Sequence, residues 1–471
     1  MFTFNLDDHS IKNIHFIGIG GVSMSGIARL LDNCGFHITG SDRDHNEHTK
    51  LLEELGISVS YGQKPENINQ PDLVVYTDAI QPDNPELVFA KTLDIPVVTR
   101  GVFLGALMKN YVHSIAVSGS HGKSSTTSML ATILYKSDIK PSVLLGGDLD
   151  LIGGNALVGE REYLVTEACE YKANILHYFP SIAIVLNISV DHPDFFRDLD
   201  HLIETFQQYM RNLGEEDTLI VNIDDENCLP LIEHVKGRVI TFGATDPNAD
   251  FHIQNIILNE NGKPGFDLVS KDGRVEHFQL DVIGEFNVLN ATASIIASEL
   301  VGMPMEVIRE QIEGYHPLHR RMEEVGSYNG ALVMTDYGHH PKEIRTTLGA
   351  LRRSTNKHII CAFQPHTYSR TKRLLNDFAE CFYDADEVIV TDIYGARESL
   401  DPTIHSLHLV EKLEANQVNV KYLATFEEAR DYLQAKLGAD DIVITTGCGI
   451  PHLLAYMVAE VGDYAPTQKT G

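Results

Sequence analysis

The residues best suited to chemistry lie in one short loop that follows an apolar run at 114–117. The loop, Gly119-Ser-His-Gly-Lys-Ser124, has two glycines that let the backbone wrap an anion. Its lysine can reach the outer phosphates of a nucleotide, and its final serine stands where a magnesium-binding hydroxyl is expected. The longer P-loop pattern requires glycine at position 117, which is Val117 here. We therefore predict a compact phosphate loop whose nucleotide contacts are Gly119, Ser120, His121, Gly122, Lys123, Ser124 and Ser125.

A second glycine loop, Gly18-Ile-Gly-Gly21, follows the apolar run at 13–17 near the start of the chain. Its spacing does not match the dinucleotide pattern G-x-G-x-x-G, because Ser23 stands at the third glycine position. NAD is therefore not favoured as the ligand. A diphosphate ligand is predicted instead, with Asp42 at the end of the next strand close to a ribose.

Carboxylates and a histidine follow two further apolar runs, 163–167 and 182–186. Glu167 and Glu170 come after the first run, and Asp191 and His192 come after the second. Ligands of parallel sheets bind at the carboxyl ends of strands, and oxygen atoms are the ligands that Mg²⁺ prefers. These groups could therefore complete a magnesium site beside the phosphate loop.

The last third of the chain adds cations and a carboxylate in three segments: 319–321, 335–341 and 363–370. Arginines can hold a phosphoryl group or a carboxylate in a bidentate fork, and Asp336 can orient a ribose hydroxyl or a water. No serine or cysteine stands in a nucleophile motif such as G-x-S-x-G. Covalent acyl-enzyme chemistry therefore has no support.

The elements that must position these residues form three strand, loop and helix systems. Continuous apolar runs separated by helical lengths are typical of parallel strands covered on both faces, so an α/β fold is predicted. The expected domains are residues 1–112, a small Rossmann-like unit, 113–318, a central nucleotide-binding domain, and 319–471, a second Rossmann-like unit. Shorter strands with turns between about 250 and 283 predict an antiparallel addition to the central sheet.

Composition limits the class of protein. At 471 residues with 43% hydrophobic and 22% charged residues, the chain is long enough for two to four globular domains. A formal charge of −29 opposes nucleic-acid binding, which depends on excess Lys and Arg. No apolar run reaches the ~18 residues of a membrane span, and the N-terminus lacks signal-peptide features, so a cytoplasmic protein without membrane insertion is expected. The six cysteines show no C-x-x-C spacing and are expected to be reduced thiols.

Taken in order, these loops resemble the Mur ligase family over essentially the whole chain. The resemblance rests on 15–21, the short phosphate loop, 167–171, Asp191-His192, 336–341 and 363–370. It implies a three-domain architecture with a UDP-binding N-terminal domain, a central ATPase domain and a closing C-terminal domain. It also implies an ATP- and Mg²⁺-dependent ligase of peptidoglycan precursor synthesis, serving cell-wall biogenesis and division, that joins L-alanine to UDP-N-acetylmuramate through an acyl phosphate. A monomer or a homodimer is expected.

The resemblance assigns roles residue by residue. It implies catalytic roles for Lys123, Glu167 and His192, with Ser124, Glu167 and His192 as magnesium ligands. The expected nucleotide contacts outside the phosphate loop are Asn287, Asn290, Arg321 and Asp336. The expected sugar-nucleotide contacts are Gly18, Gly20, Gly21, Ser41 and Asp42. The expected amino-acid contacts are His340, His366 and Arg370.

Several positions depart from the family's usual motifs and keep alternatives open. Phe286 replaces a histidine, Pro193 replaces Met or Leu, and Gly447-Cys-Gly-Ile450 replaces Gly-Ala-Gly-Asp. One alternative is a divergent paralogue that uses another amino acid or a recycled peptide. Another is a weakened nucleotide-binding regulatory protein. A third, resting on the first glycine loop alone, is a nicotinamide-dependent dehydrogenase.

Overall fold

The computed structural model describes residues 2–8, 10–135, 137–190, 192, 195–396 and 398–462. Contacts between Cα atoms divide the chain into two compact units. The first unit contains Met1–Asn255, Phe266–Phe278 and Leu289–Tyr315, and the second contains Ile256–Gly265, Gln279–Val288 and His316–Gly471.

The N-terminal part of the first unit is a five-stranded parallel sheet in the order β3-β2-β1-β4-β5. The glycine loop at 18–21 connects the central strand of this sheet to the first helix. The elements are β1 (Asn13–Ile17), α1 (Val22–Asn33), β2 (His37–Asp42), α2 (Glu47–Glu54), β3 (Ser58–Tyr61), β4 (Leu73–Tyr76), α3 (Pro85–Ala90), β5 (Val97–Thr99) and α4 (Arg100–Met108). A short 3₁₀ segment covers Pro65–Asn67.

The second sheet has ten strands, and its central strands are buried parallel runs. Its elements are β6 (His113–Ser118), α5 (Lys123–Tyr135), β7 (Ser142–Leu149), β8 (Gly154–Leu157), β9 (Tyr163–Glu167), β10 (Ile182–Val185), α6 (Leu199–Met210), β11 (Thr218–Asn222), β12 (Arg238–Gly243), β13 (Phe251–Leu258), β14 (Pro264–Ser270), β15 (Val275–Gln279), α7 (Phe286–Leu300) and α8 (Met305–Glu313). Further 3₁₀ segments cover Asp150–Ile152, Tyr171–His177 and Glu226–His234.

The strand order places the phosphate loop at the middle of this sheet. The order is β15-β14-β13-β12-β11-β10-β6-β9-β7-β8, so β6 lies between β10 and β9. Both neighbours run parallel to β6. The loops that follow β6, β9 and β10 therefore leave the same edge of the sheet. Lys123 begins α5 after the first loop, Glu167 ends β9, and His192 lies in the loop after β10.

The third sheet forms the centre of the second unit, with six strands in the order β16-β17-β21-β18-β19-β20. Only the β16–β17 pair is antiparallel among the described pairings of this sheet. Its elements are β16 (Glu323–Tyr328), β17 (Ala331–Asp336), α9 (Pro341–Ser354), β18 (His358–Phe363), α10 (Tyr368–Arg373), α11 (Leu375–Ala379), β19 (Glu387–Val390), α12 (Ser406–Ala415), β20 (Val420–Tyr422), α13 (Phe426–Lys436), β21 (Asp441–Thr446) and α14 (Pro451–Ala459).

The predicted α/β class and the parallel sheets are confirmed. The strands beyond 250 were predicted to join the central sheet in antiparallel fashion, and the first of them differs from this expectation. β13 pairs with β12 in parallel, through Phe242 opposite Phe251 and Gly243 opposite His252. Within the described ranges, none of the helices is long and apolar enough to cross a membrane.

Candidate active site

The phosphate loop is fastened to the strand beside it. The backbone amide of Ser120 donates to the carbonyl oxygen of Asn187 (3.0 Å), and the amide of His121 donates to the Asn187 Oδ1 atom (2.9 Å). The Ser120 hydroxyl also donates to the carbonyl oxygen of Ser189 (2.7 Å). The loop after β10 therefore sets the shape of the phosphate loop, and the following first turn of α5 carries Lys123, Ser124 and Ser125.

A residue with a side chain at position 122 would have a strained backbone and would clash with a neighbouring side chain. Its φ of +86° lies in the left-handed region, and a Cβ atom there would lie 2.5 Å from the Oδ1 atom of Asn290. Asn290 is buried on α7, and its Oδ1 atom accepts a hydrogen bond from the Thr126 hydroxyl (3.3 Å). The predicted nucleotide contact Asn290 is thus packed directly against the phosphate loop.

Lys123 is held by a carboxylate and by its own loop. Its ammonium group lies 3.1 and 3.2 Å from the two carboxylate oxygens of Glu170, and it donates to the carbonyl oxygens of Gly119 (2.5 Å) and Ser120 (3.2 Å). The Glu170 side chain is fully buried, and the Lys123 side chain is 15% exposed. The geometry keeps a cation at the start of α5, where phosphate oxygens would approach.

The role of Glu170 was missed by sequence reasoning, which placed it among the strand-end carboxylates without giving it a partner. The available signal was its position three residues after Glu167 in the loop that follows β9. His192 lies nearby, with its Nε2 atom 3.9 Å from a Glu170 oxygen and its ring 4.7 Å from the Tyr171 ring centroid. Asp191 and Pro193, which flank this histidine, lie outside the described residues.

Ser124 and Glu167 lie together, as the magnesium prediction requires of them. The Ser124 hydroxyl donates to Glu167 Oε2 (3.0 Å), and the backbone amide of Gly146 donates to Glu167 Oε1 (2.6 Å). A hydroxyl and a carboxylate fit the oxygen preference of Mg²⁺. In the part of the chain that the structure describes, no group of three or more His, Cys, Asp or Glu side chains forms a metal site by itself.

The backbone amides of the first glycine loop are already hydrogen-bonded to other groups of the protein. The amides of Gly18 and Ile19 donate to the carbonyl oxygen of Ser41 (2.8 and 3.0 Å), and the Gly20 amide donates to Asp42 Oδ2 (2.8 Å). The Gly21 amide donates to the Gly18 carbonyl oxygen (3.3 Å). Asp42 and Ser41 thus support the loop, and Ser41 is fully buried.

The start of α1, directly after this loop, is a second candidate source of backbone amides for a ligand. Gly21 is the N-cap and makes no side-chain cap hydrogen bond, and the first-turn amides of a helix have no partner within the helix. Arg100 contacts this turn because its Nη1 atom donates to the Ser23 hydroxyl (3.3 Å). Sequence reasoning missed Ser23 and Arg100 as neighbours, since 77 positions separate them.

In the second unit, Asp336 joins two loops. Its carboxylate accepts hydrogen bonds from the amides of Met322 (2.9 Å) and Gly338 (2.8 Å), and burial raises its pKa. Arg321 and Arg320 both lie over the Tyr337 ring, with guanidinium carbons 5.0 and 4.7 Å from the ring centroid. Asn287, on α7, is buried and donates to the carbonyl oxygen of Ile283 (2.9 Å).

The segment Gly447-Cys-Gly-Ile450, whose sequence differs from the usual motif of the family, is held in place by hydrogen bonds to side chains of the second unit. The Arg320 Nη2 atom donates to the carbonyl oxygens of Gly447 (3.0 Å) and Gly449 (2.9 Å). The amide of Ile450 donates to Gln364 Oε1 (2.9 Å). Arg370, predicted to bind the amino acid, contacts Cys448 with 3.8 Å between Nη1 and Sγ. Burial raises the pKa of Cys448 to about 12, so the contact is to a neutral thiol.

The two predicted histidines of this unit have local partners. His340 is the N-cap of α9 and accepts a hydrogen bond from the Lys342 amide (3.3 Å), while Glu343 completes the capping box. His366 forms a backbone bridge with Tyr394, and their ring centroids lie 5.9 Å apart. His340 thus has a structural role at the helix start in addition to its predicted ligand role.

Comparison with known proteins agrees with this arrangement. Residues 13–112 match the model of the Mur ligase family catalytic domain, 117–298 match the Mur ligase middle domain, and 320–449 match the Mur ligase glutamate ligase domain. The chain therefore belongs to the Mur ligase family.

Individual relatives carry more specific names. A UDP-N-acetylmuramate–L-alanine ligase of Acetivibrio thermocellus is 44% identical over 444 residues, covering 94% of this chain and 95% of that protein. The enzyme of the same name from Alkaliphilus metalliredigens is 42% identical over 97% of this chain and 99% of its own length. The crystal structure of UDP-N-acetylmuramate–alanine ligase from Thermotoga maritima matches with a TM-score of 0.82 and 26% identity, covering 96% of this chain and 98% of that chain.

Proposed function

We propose that this Mur ligase joins L-alanine to UDP-N-acetylmuramate with the consumption of ATP. The observation that carries the proposal is the pairing of Lys123 with the buried Glu170 beside the contact of Ser124 with Glu167. These four side chains bring a cation and oxygen ligands to one phosphate loop. The names of relatives more than 40% identical over nearly the whole chain support the choice of substrates.

Phosphate binding follows from the surroundings of Lys123. Its ammonium hydrogens point to two carbonyl oxygens of its own loop and to Glu170. When ATP binds, phosphate oxygens take the place of the carbonyl partners, and Glu170 keeps the ammonium aimed at the loop. The charge of Lys123 then lies between two anionic reactants, where electrostatic stabilisation contributes most.

The residues present also fit a magnesium ion. We assign the ion to Ser124 and Glu167, with His192 as the third residue near the site, because hydroxyl and carboxylate oxygens are hard donors. When bound, Mg²⁺ would neutralise phosphate charge and polarise the transferred phosphoryl group. The Gly146 amide fixes one carboxylate oxygen of Glu167, which leaves the other oxygen oriented toward Ser124.

The proposed reaction has two steps. A carboxylate is a poor electrophile, so the muramyl carboxylate first attacks the γ-phosphorus of ATP, which gives an acyl phosphate and releases ADP. The amine of alanine then attacks the acyl carbon, loses a proton and expels inorganic phosphate to leave an amide. Lys123 stabilises the charge that develops on the phosphoryl oxygens in the first step.

The remaining assignments stay with the sequence prediction. We place the sugar nucleotide at Gly18, Gly20, Gly21 and Asp42 and extend its site to the start of α1, whereas Ser41, also predicted as a contact, is fully buried and supports the loop instead. Further ATP contacts are assigned to Asn287, Asn290, Arg321 and Asp336, and the amino acid to His340, His366 and Arg370. We keep domain boundaries at 1–112, 113–318 and 319–471, and we propose that the reaction takes place in the cytoplasm.

The three alternative functions left open by the sequence differ in how much support they have. The dehydrogenase hypothesis rested on the first glycine loop alone, and membership of a ligase family argues against it. A weakened regulatory protein is disfavoured by the Lys123–Glu170 and Ser124–Glu167 pairs. A paralogue that accepts another amino acid remains the second candidate, because Cys448 alters the surroundings of Arg370.

The test is phosphate release from ATP by the purified protein with UDP-N-acetylmuramate and, in separate reactions, L-alanine, L-serine or glycine. The proposal predicts release that requires both the sugar nucleotide and an amino acid, with the highest kcat/KM for alanine. Release only with another amine would establish the paralogue. Binding of both nucleotides without any release would establish the regulatory protein.

A further inference from the structure

A buried polar cluster lies under the first glycine loop. Its central member, Glu86, is fully buried on α3, and two of its partners, His15 and Ser41, are 1% and 0% exposed. The Glu86 carboxylate is 2.7 Å from His15 Nε2, 2.7 Å from the Ser41 hydroxyl and 3.4 Å from Asn67 Nδ2. A carboxylate buried to this extent is stable only when its oxygens are hydrogen-bonded.

The direction of each hydrogen bond follows from the chemistry of the carboxylate. The Ser41 hydroxyl and the Asn67 amide donate to the Glu86 carboxylate, and His15 Nε2 donates to it in the tautomer that carries the ring proton on Nε2. The other ring nitrogen of His15 lies 2.8 Å from the Thr39 hydroxyl, which orients the ring. Glu86 on α3 is therefore joined by three donors to β1, to β2 and to the 3₁₀ segment Pro65–Asn67.

The end of β2 connects this polar cluster to the glycine loop by hydrogen bonds. The Ser41 carbonyl oxygen accepts the amides of Gly18 and Ile19, and the next residue, Asp42, accepts the amide of Gly20. Three consecutive amides of the loop are therefore set by two residues of β2. One of these two, Ser41, is fixed from beneath by Glu86.

We propose that Glu86 is a positioning residue for the sugar nucleotide, acting through Ser41 on the glycine loop and on the start of α1 that follows it. The proposal rests on the proposed function for the identity of the ligand. Glu86 touches no substrate, because it is fully buried. Its contribution is a preformed loop that does not have to be ordered when the diphosphate binds.

The test compares Glu86→Gln with a matched control, Glu387→Gln. Gln at position 86 replaces a charged acceptor with a neutral one: its Oε1 atom can face Ser41 and Asn67 while its Nε2 atom donates to the other tautomer of His15, so the hydrogen bond that fixes Ser41 loses its charge assistance. Glu387 is also buried, at 3% exposed, and accepts from the Tyr432 hydroxyl (2.5 Å) and from Lys436, but it lies in the second unit. Both substitutions therefore remove one buried, hydrogen-bonded carboxylate.

Two readouts separate positioning from general stability. Calorimetric binding of UDP and the KM for UDP-N-acetylmuramate should each weaken by up to about tenfold in Glu86→Gln, the size expected when a hydrogen bond to a charged acceptor becomes a neutral one. The KM for ATP and kcat should stay within about twofold of wild type, since the phosphate loop is untouched. The Glu387→Gln variant should lose Tm without any change in UDP affinity.

The proposal is overturned if Glu86→Gln leaves UDP affinity unchanged, whether or not its Tm falls as that of Glu387→Gln does. If Glu86→Gln does not fold, His15→Leu and His15→Gln decide. His15→Gln can still donate to Glu86 and should bind UDP like wild type, whereas His15→Leu should bind it several-fold more weakly. Equal affinities of the two His15 variants would also overturn it. Because UDP binding needs no turnover, a failure of the proposed ligase reaction remains distinguishable from a failure of this proposal.

Discussion

Replacing Gly122 with alanine should disable the phosphate loop by a predictable amount. Alanine pays about 1 kcal/mol to adopt the left-handed φ of +86°. Its Cβ atom would lie 2.5 Å from Asn290 Oδ1, so the loop or the asparagine must move by about 1 Å to reach ordinary contact. That movement breaks the Thr126–Asn290 hydrogen bond, which contributes about 1 kcal/mol more. The total loss of about 2 kcal/mol corresponds to a fall in Tm of about 4–8 °C.

The catalytic consequence is larger than the loss of stability. A displacement of about 1 Å in a positioning loop costs on the order of 100-fold in rate, so kcat/KM for ATP should fall by that factor. The assay is ATP-dependent phosphate release at saturating UDP-N-acetylmuramate and alanine, with UDP binding measured by calorimetry. UDP affinity should be unchanged because the first glycine loop is not involved.

Gly302→Ala provides the matched control. Gly302 has a φ of +89° and no heavy atom within 4 Å of the position of an added Cβ atom. It should therefore show the conformational cost of about 1 kcal/mol with ordinary activity. If Gly122→Ala keeps kcat/KM for ATP within threefold of Gly302→Ala, the assignment of residues 119–125 to phosphate binding is refuted.

Three further outcomes follow from the same contacts. Lys123→Ala should abolish phosphate release and leave UDP binding intact, and turnover comparable to wild type would contradict the mechanism. Glu170→Gln should lower the free energy of unfolding by about 3 kcal/mol in urea, because it leaves the Lys123 ammonium beside a neutral partner; a loss below about 0.5 kcal/mol would show that the ion pair is unimportant. Burial, and then the charge of Arg320, lower the pKa of His452 to about 3. The unfolded chain then binds the proton first, so stability should fall from about pH 6.5 toward pH 3, and His452→Gln should remove about 2 kcal/mol of this loss at pH 5. Identical pH profiles of the two proteins would contradict it.

The strands could be predicted because buried parallel strands leave a continuous apolar record. The runs at 163–167 and 218–222 coincide with β9 and β11. The candidate site loops were predicted on the same ground, since they begin where these runs end. The parallel pairing of β12 and β13 could not be predicted, because β13 is largely exposed and its residue types carry no mark of strand direction.

Partners of individual side chains were beyond sequence reasoning. Lys123 and Glu170 are 47 positions apart, and Ser41 and Glu86 are 45 positions apart, so only the fold brings them together. Residue type alone was also ambiguous for His340, because a histidine before a helix suits a cap as well as a ligand. The start of α1 was overlooked because the neighbouring glycines, whose amides are used internally, carried the stronger motif.

The central claim is that the muramyl carboxylate is activated by phosphorylation before it meets the amine. The most direct measurement uses UDP-N-acetylmuramate labelled with ¹⁸O in its carboxylate, incubated with ATP, Mg²⁺ and L-alanine, followed by mass analysis of the released phosphate. The proposed reaction transfers one carboxylate oxygen to each phosphate, so one ¹⁸O atom should appear in it. Formation of the amide with unlabelled phosphate would contradict the acyl-phosphate mechanism.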